Sequence, residues 1–121
     1  MKKTLSPQKI IEEYIEAGIV LTETTLDGNY KRGNAVAKRL QKAFILLEQD
    51  KELAEQVLMQ VMNSKIDKAR SMAAADSLRM RILVEYATCV LEEIAMRDDI
   101  IGFGSQMTLR IWRGEVPGKT L

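Results

Sequence analysis

The stretch YKRGNAVAKRLQKAFILLEQ, residues 30–49, decides the fold. Val36, Leu40, Ala43, Phe44 and Leu47 recur at i, i+4, i+7, i+8 and i+11, which puts them on one face of a helix turning ~100° per residue. Lys31, Arg32, Lys38, Arg39 and Lys42 fall within an arc of roughly 120°, directed away from that apolar stripe. A cationic stripe of this kind attracts phosphates or an acidic protein surface.

The same periodicity extends in both directions from this stretch. Toward the N-terminus, Ser6 is a hydroxyl cap and Pro7 suits the first helical position. Ile11, Tyr14, Ile15, Gly18 and Ile19 then form an apolar face, and Asp27-Gly28-Asn29 closes the helix in a turn. Toward the C-terminus, Asp50 caps a third helix carrying Leu53, Ala54, Val57, Leu58, Val61 and Met62, and Asn63-Ser64 breaks it. Ser64-Lys65-Ile66-Asp67 resembles a capping box opening a short fourth helix, whose Ala73, Ala74 and Ala75 let a neighbouring helix approach closely.

Residues 77–81 are either a break or a continuation, since no glycine or proline decides. A fifth helix is expected over Ile82–Arg97, with Leu83, Ala87, Val90, Leu91 and Ile94 on one stripe. Asp98-Asp99 and Gly102-Phe103-Gly104 then read as a loop, and Ser105 as the cap of a last helix containing Met107, Ile111 and Trp112. Gly114, Pro117 and Gly118 end the order, leaving 115–121 as an expected flexible tail. No segment shows sustained strand alternation. The sequence therefore predicts an all-α single domain over 1–121, with about six short antiparallel helices. They form either a HEAT-like α-α superhelix or a closed helical bundle.

Composition narrows the chemistry. The 121 residues suffice for one ordinary domain, 46% of them are hydrophobic, and 18 basic against 17 acidic side chains leave a net charge of +1. That balance argues against a strongly basic nucleic-acid tail. The absence of histidine removes His-dependent triads, HExxH-type zinc sites and the usual imidazole switch. A lone Cys89 makes no internal disulfide, and among Tyr86, Ala87, Val90 and Leu91 it is expected as a small buried thiol. Tyr14, Phe44, Tyr86 and Phe103 are expected in the core, with most of the methionines.

Met1-Lys2-Lys3 is followed by Ser6, Pro7, Gln8, Glu12 and Glu13 where a signal peptide would need an apolar core. Runs such as Gly18-Ile19-Val20-Leu21 fall far short of the ~20 residues that span a bilayer. A cytoplasmic protein without membrane contact is the expectation.

Charge varies along the chain more than its sum suggests. The balance is −2 over 1–27, +5 over 28–47, −3 over 48–63, +3 over 64–82, −4 over 83–99 and +2 over 100–121. Helices one, three and five are acidic; two, four and six are basic. In a two-layer stack of helix hairpins this alternation gives an acidic layer and a basic one. Alternatively, the helices neutralise one another along their edges, each exposed pair contributing a few tenths of a kcal/mol.

Catalytic, cofactor and metal sites are not expected. Glu92 and Glu93 are adjacent on a helix and point about 100° apart, so they do not chelate as a pair. Gly102-Phe103-Gly104-Ser105 lacks a phosphate-loop lysine signature. Trp112, flanked by Arg110 and Arg113, either seals the last helix or anchors a partner. The candidate partner-binding residues are therefore Lys31, Arg32, Lys38, Arg39, Lys42, Arg110, Trp112 and Arg113.

Several pieces also carry a resemblance: Gly28-Asn29-Tyr30 with Asn34 and Leu40; Ala73-Ala74 with Leu78; and Val90-Leu91-Glu92-Glu93-Ile94-Ala95. Gly102-Phe103, Met107-Thr108-Leu109 and Trp112-Arg113-Gly114 complete it. Over most of residues 8–114 the chain resembles a family of short bacterial proteins, a domain of unknown function with a HEAT-like superhelix. The resemblance implies a fold and carries no catalytic residues. The function expected is non-enzymatic binding of another protein, in a regulatory or toxin-neutralising role by analogy with other small helical-repeat proteins. The alternative is nucleic-acid binding through Lys31, Lys38, Arg39 and Lys42 with Arg70, Arg79 and Arg81.

Overall fold

A computed structural model describes residues 6–121, so the charged start Met1-Lys2-Lys3 lies outside the described residues. These residues form six helices and no strand: α1 (Pro7–Asp27), α2 (Tyr30–Glu48), α3 (Lys51–Met62), α4 (Asp67–Met80), α5 (Val84–Ile94) and α6 (Ile100–Trp112). The first three begin as their sequences dictate. Ser6, Asn29 and Asp50 each accept a backbone N–H of the opening turn through the side chain, a cap typically contributing ~1 kcal/mol. Gly28, left-handed at φ 74°, ends α1 and lets α2 fold straight back along it.

α4 is the centre of the packing. It lies against α1, α3, α5 and α6, while α1 also carries α2 and touches α3. Its fully buried residues are small, Ala69, Ala73, Ala74 and Ser77, with Leu78. The approach to α1 is closest at Gly18, where a Cβ would lie 2.7 Å from both Cβ and N of Ala69. Tyr14, Leu47, Leu58, Met62, Leu91 and Ile94 fill the main core around it. A smaller cluster of Ala17, Val20 and Val36 lies between α1 and α2.

The second half departs from the sequence reading in several places. Ser64 does not cap α4. That helix starts at Asp67 with no side-chain cap, and Arg70 holds the corner instead, donating from Nε to the Met62 carbonyl at 2.9 Å. α4 continues through 77–80 and stops because Arg81 and Leu83 adopt left-handed backbone, φ 57° and 50°, which turns the buried Ile82 inward. This costs each non-glycine residue ~1 kcal/mol and is invisible to a search for glycine or proline.

α5 is accordingly shorter than Ile82–Arg97. The cap of α6 is Asp99, whose Oδ1 accepts the Gly102 N–H at 3.0 Å, and Gly102, Phe103, Gly104 and Ser105 lie inside the helix. Gly102 is needed because a Cβ there would overlap the Arg97 carbonyl oxygen. Phe103 is not core but 59% exposed, being one residue round from the buried Gly102. Cys89 is also exposed: at ~100° per residue it points away from the arc of Ala87, Val90, Leu91 and Ile94. Beyond Gly114 the chain turns, and Leu121, in the segment expected to be a tail, packs partly buried against the core.

Candidate functional site

α2, α4 and α6 each use a second helical face to line one open cleft of about 680 Å³. On α2 that face is Ala37, Leu40, Gln41 and Phe44, set beside the buried Gly33, Val36, Ala43 and Leu47. α4 supplies Lys68, Ser71, Met72, Ala75, Asp76 and Arg79, spaced i, i+3, i+4, i+7, i+8 and i+11, a strip ~16 Å long at 1.5 Å per residue. α6 contributes Ile101, Gly104 and Thr108. Leu21, Leu40 and Met72 also pack against the smaller core cluster, so this wall is anchored in the fold. Ala37, Ser71, Ala75 and Gly104 are small, which leaves room for another backbone to come close.

The two ends of the strip differ electrically. At one end the Asp76 carboxylate, 7% exposed, accepts from the Tyr14 hydroxyl at 2.6 Å and from Arg79 Nη1 at 2.6 Å. Burial pushes the Asp76 carboxyl up, and the Tyr14 and Arg79 hydrogen bonds oppose this without cancelling it. Burial, then the facing Asp76 charge, drives the Tyr14 phenol far above its ordinary range. At the other end Lys68 is half-buried, its ammonium forms no hydrogen bond or ion pair among the described residues, and its pKa is lowered by burial. Asp76 is the single carboxylate on the lining and is already engaged. The cleft thus presents an apolar, small-residue floor with an unmatched ammonium.

The cationic stripe of α2 divides by residue type. Arg32 meets Glu23 of α1 at 2.6 Å, and Arg39 meets Glu13 at 3.4 Å and Glu16 at 2.9 Å. Lys31, Lys38 and Lys42 are exposed and take part in no ion pair among the described residues. They point outward from α2, not into the cleft. Every ion pair among the described residues is made by an arginine, whose planar fork loses less freedom per bond than an ammonium stem. Neutralisation along helix edges therefore accounts for Arg32 and Arg39 but not for the lysines.

The C-terminal candidates separate too. Trp112 packs partly buried on the core, with the Arg81 guanidinium 5.1 Å from its ring centroid. Arg113 reaches Glu92 at 3.1 Å. Arg110 is exposed and among the described residues meets only the Met107 sulfur, at 3.9 Å. Of the further arginines, Arg70 bridges Asp67 and Glu93, and Arg79 is held by Asp76. Lys68 and Asp76 were not singled out in the sequence, because the spread of α4's apolar residues around the helix hides a second face.

Among the described residues no three His, Cys, Asp or Glu side chains cluster as a metal site, and no helix is long and apolar enough to cross a membrane. No family model, curated protein or solved structure matches the chain, so the functional reading is built on the cleft itself.

Proposed function

We propose that the chain is a protein-interaction domain whose α2–α4–α6 cleft holds an acidic amphipathic helical segment of a partner protein. One observation carries this: three separate helices each turn a regularly spaced face into one open cleft around Lys68, a cation with no counter-charge among the described residues. A strip ~16 Å long matches about three turns of helix. The small floor residues admit its backbone, Leu40, Phe44, Met72 and Ile101 receive its apolar face, and a carboxylate opposite Lys68 supplies the missing charge. Covering such a segment is a route to regulating or neutralising its owner.

We further propose a HEAT-like superhelix of three hairpins, supported by the even-numbered helices sharing one concave side. The exposed single thiol of Cys89 suits a reducing cytoplasm. No catalytic step is assigned.

A labelled 15-residue peptide with leucines at helical spacing and glutamates on its flanks tests the binding. It should bind the wild-type chain, bind less to Lys68→Glu and not bind to Ala75→Trp, which fills the floor. Equal binding of a lysine-flanked version, or undiminished binding to Ala75→Trp, contradicts the reading.

Lys31, Lys38 and Lys42, unpaired among the described residues, favour a second reading, nucleic-acid binding on the outer face of α2. It requires affinity for duplex DNA at low salt that falls steeply as salt is added. Absence of binding at low salt removes it.

A further inference from the structure

α6 packs on one side and is apolar on the opposite, outer side. Gly102, Ser105 and Leu109 are buried toward the core, whereas Ile100 and Phe103 stand 62% and 59% exposed. With the half-buried Met107 and Ile111 they fall within an arc of ~80°, about opposite the buried residues. Neither Met107 nor Ile111 belongs to the core clusters. An exposed apolar patch rimmed by polar residues such as Gln106 and Arg110 marks an interaction site.

Charge identifies the cover. Asp98 immediately precedes the cap of α6, is exposed, and forms no ion pair or side-chain hydrogen bond among the described residues. Arg110, near the other end beside Phe103, is likewise without a carboxylate among the described residues. The remaining arginines are engaged: by carboxylates or, for Arg81, by the Trp112 ring. One helix thus carries an unmatched negative group at its start and an unmatched positive group near its end, with apolar residues between. That arrangement complements itself when the helix is laid antiparallel on a copy. Asp98 then faces Arg110 of the second copy, twice, and the midpoint of the two positions is Gly104. A Cβ at Gly104 would meet nothing within 4 Å, so two backbones have room to cross there.

We infer that this chain pairs with a second copy of itself through antiparallel α6 helices crossing at Gly104 about a two-fold axis. One helix face is a small contact, below about 1,200 Å² in total, so the dimer dissociates on dilution through the micromolar range. The contact shares Gly104 with the cleft lining, but its apolar face, Ile100, Phe103, Met107 and Ile111, lies outside the cleft.

Sedimentation of the full chain from about 1 to 200 µM tests it. The expected result is a change from 13.7 kDa toward twice that mass. Phe103→Glu, at an exposed position, should stay monomeric throughout, with circular dichroism confirming retained helix. Asp98→Arg and Arg110→Asp should each weaken pairing about tenfold by opposing like charges, and the double variant should regain it. Three results overturn the inference: a monomer at about 200 µM, a dimer indifferent to Phe103→Glu, or a double variant no better than the single ones.

Discussion

The Tyr14 hydroxyl donates a 2.6 Å hydrogen bond to Oδ2 of Asp76, tying α1 to α4 behind the floor of the cleft. Arg79 takes the other carboxylate oxygen, so the group is satisfied although nearly buried. Tyr14→Phe keeps the ring and orphans one oxygen, which should cost about 1–3 kcal/mol. Thermal unfolding should show a midpoint lower by several degrees. An unchanged midpoint would mean that this bond does not hold the two helices.

Glycine has opposite meanings at two positions of α6. Gly102→Ala forces a methyl into the Arg97 carbonyl and should destabilise by more than about 2 kcal/mol. Gly104→Ala meets nothing within 4 Å and should stabilise the helix by about 0.5–1 kcal/mol, read by urea unfolding at low micromolar concentration.

Asp99 makes acid stability testable. Hydrogen bonds from Arg97, then from the Gly102 backbone, hold its carboxyl at about 2 against an ordinary 3.8. The unfolded chain therefore takes up the proton first as pH falls. The stabilisation is complete above 3.8 and is lost as pH drops through about 2. Burial pushes neighbouring Asp67 up, but hydrogen bonds from Arg97 and Arg70 outweigh it, so its loss also falls below the ordinary carboxylate range. Asp99→Asn retains a capping oxygen and should flatten the fall in unfolding midpoint between pH 4 and pH 2.

Lysine and arginine on α2 should respond differently to charge reversal. Arg39→Glu faces Glu13 and Glu16 with a like charge and should lower stability by about 0.5–1 kcal/mol, while Lys38→Glu should stay within about 0.5 kcal/mol of wild type. Denaturant midpoints at low and high salt check both, since salt should shrink the Arg39 effect.

Much of this fold is legible in the chain. The spacing of Val36, Leu40, Ala43 and Leu47 fixes α2, and Ser6 and Asp50 mark helix starts because their side chains satisfy local N–H groups, while Asn29, read as part of a turn, caps α2 in the same way. The α4–α5 boundary is not legible, since Arg81 and Leu83 take left-handed backbone for the sake of Ile82 packing. Gly102 suggested a loop because glycine usually marks one, whereas here it serves a close approach to Arg97.

The site was half visible. The basic stripe of α2 follows from periodicity, but the division between its engaged arginines and the lysines left without an ion pair among the described residues depends on carboxylates across the α1 interface. Lys68 and Asp76 come together with Phe44 and Ile101 only through the packing of three distant segments.

Amide chemical-shift mapping during titration with the glutamate-flanked peptide is the most direct measurement. Ala37, Gln41, Ser71, Ala75 and Gly104, on three different helices, should move together and saturate at one concentration. Shifts confined to the outer face around Lys31 and Lys42, or none at millimolar peptide, would contradict a binding role for the cleft.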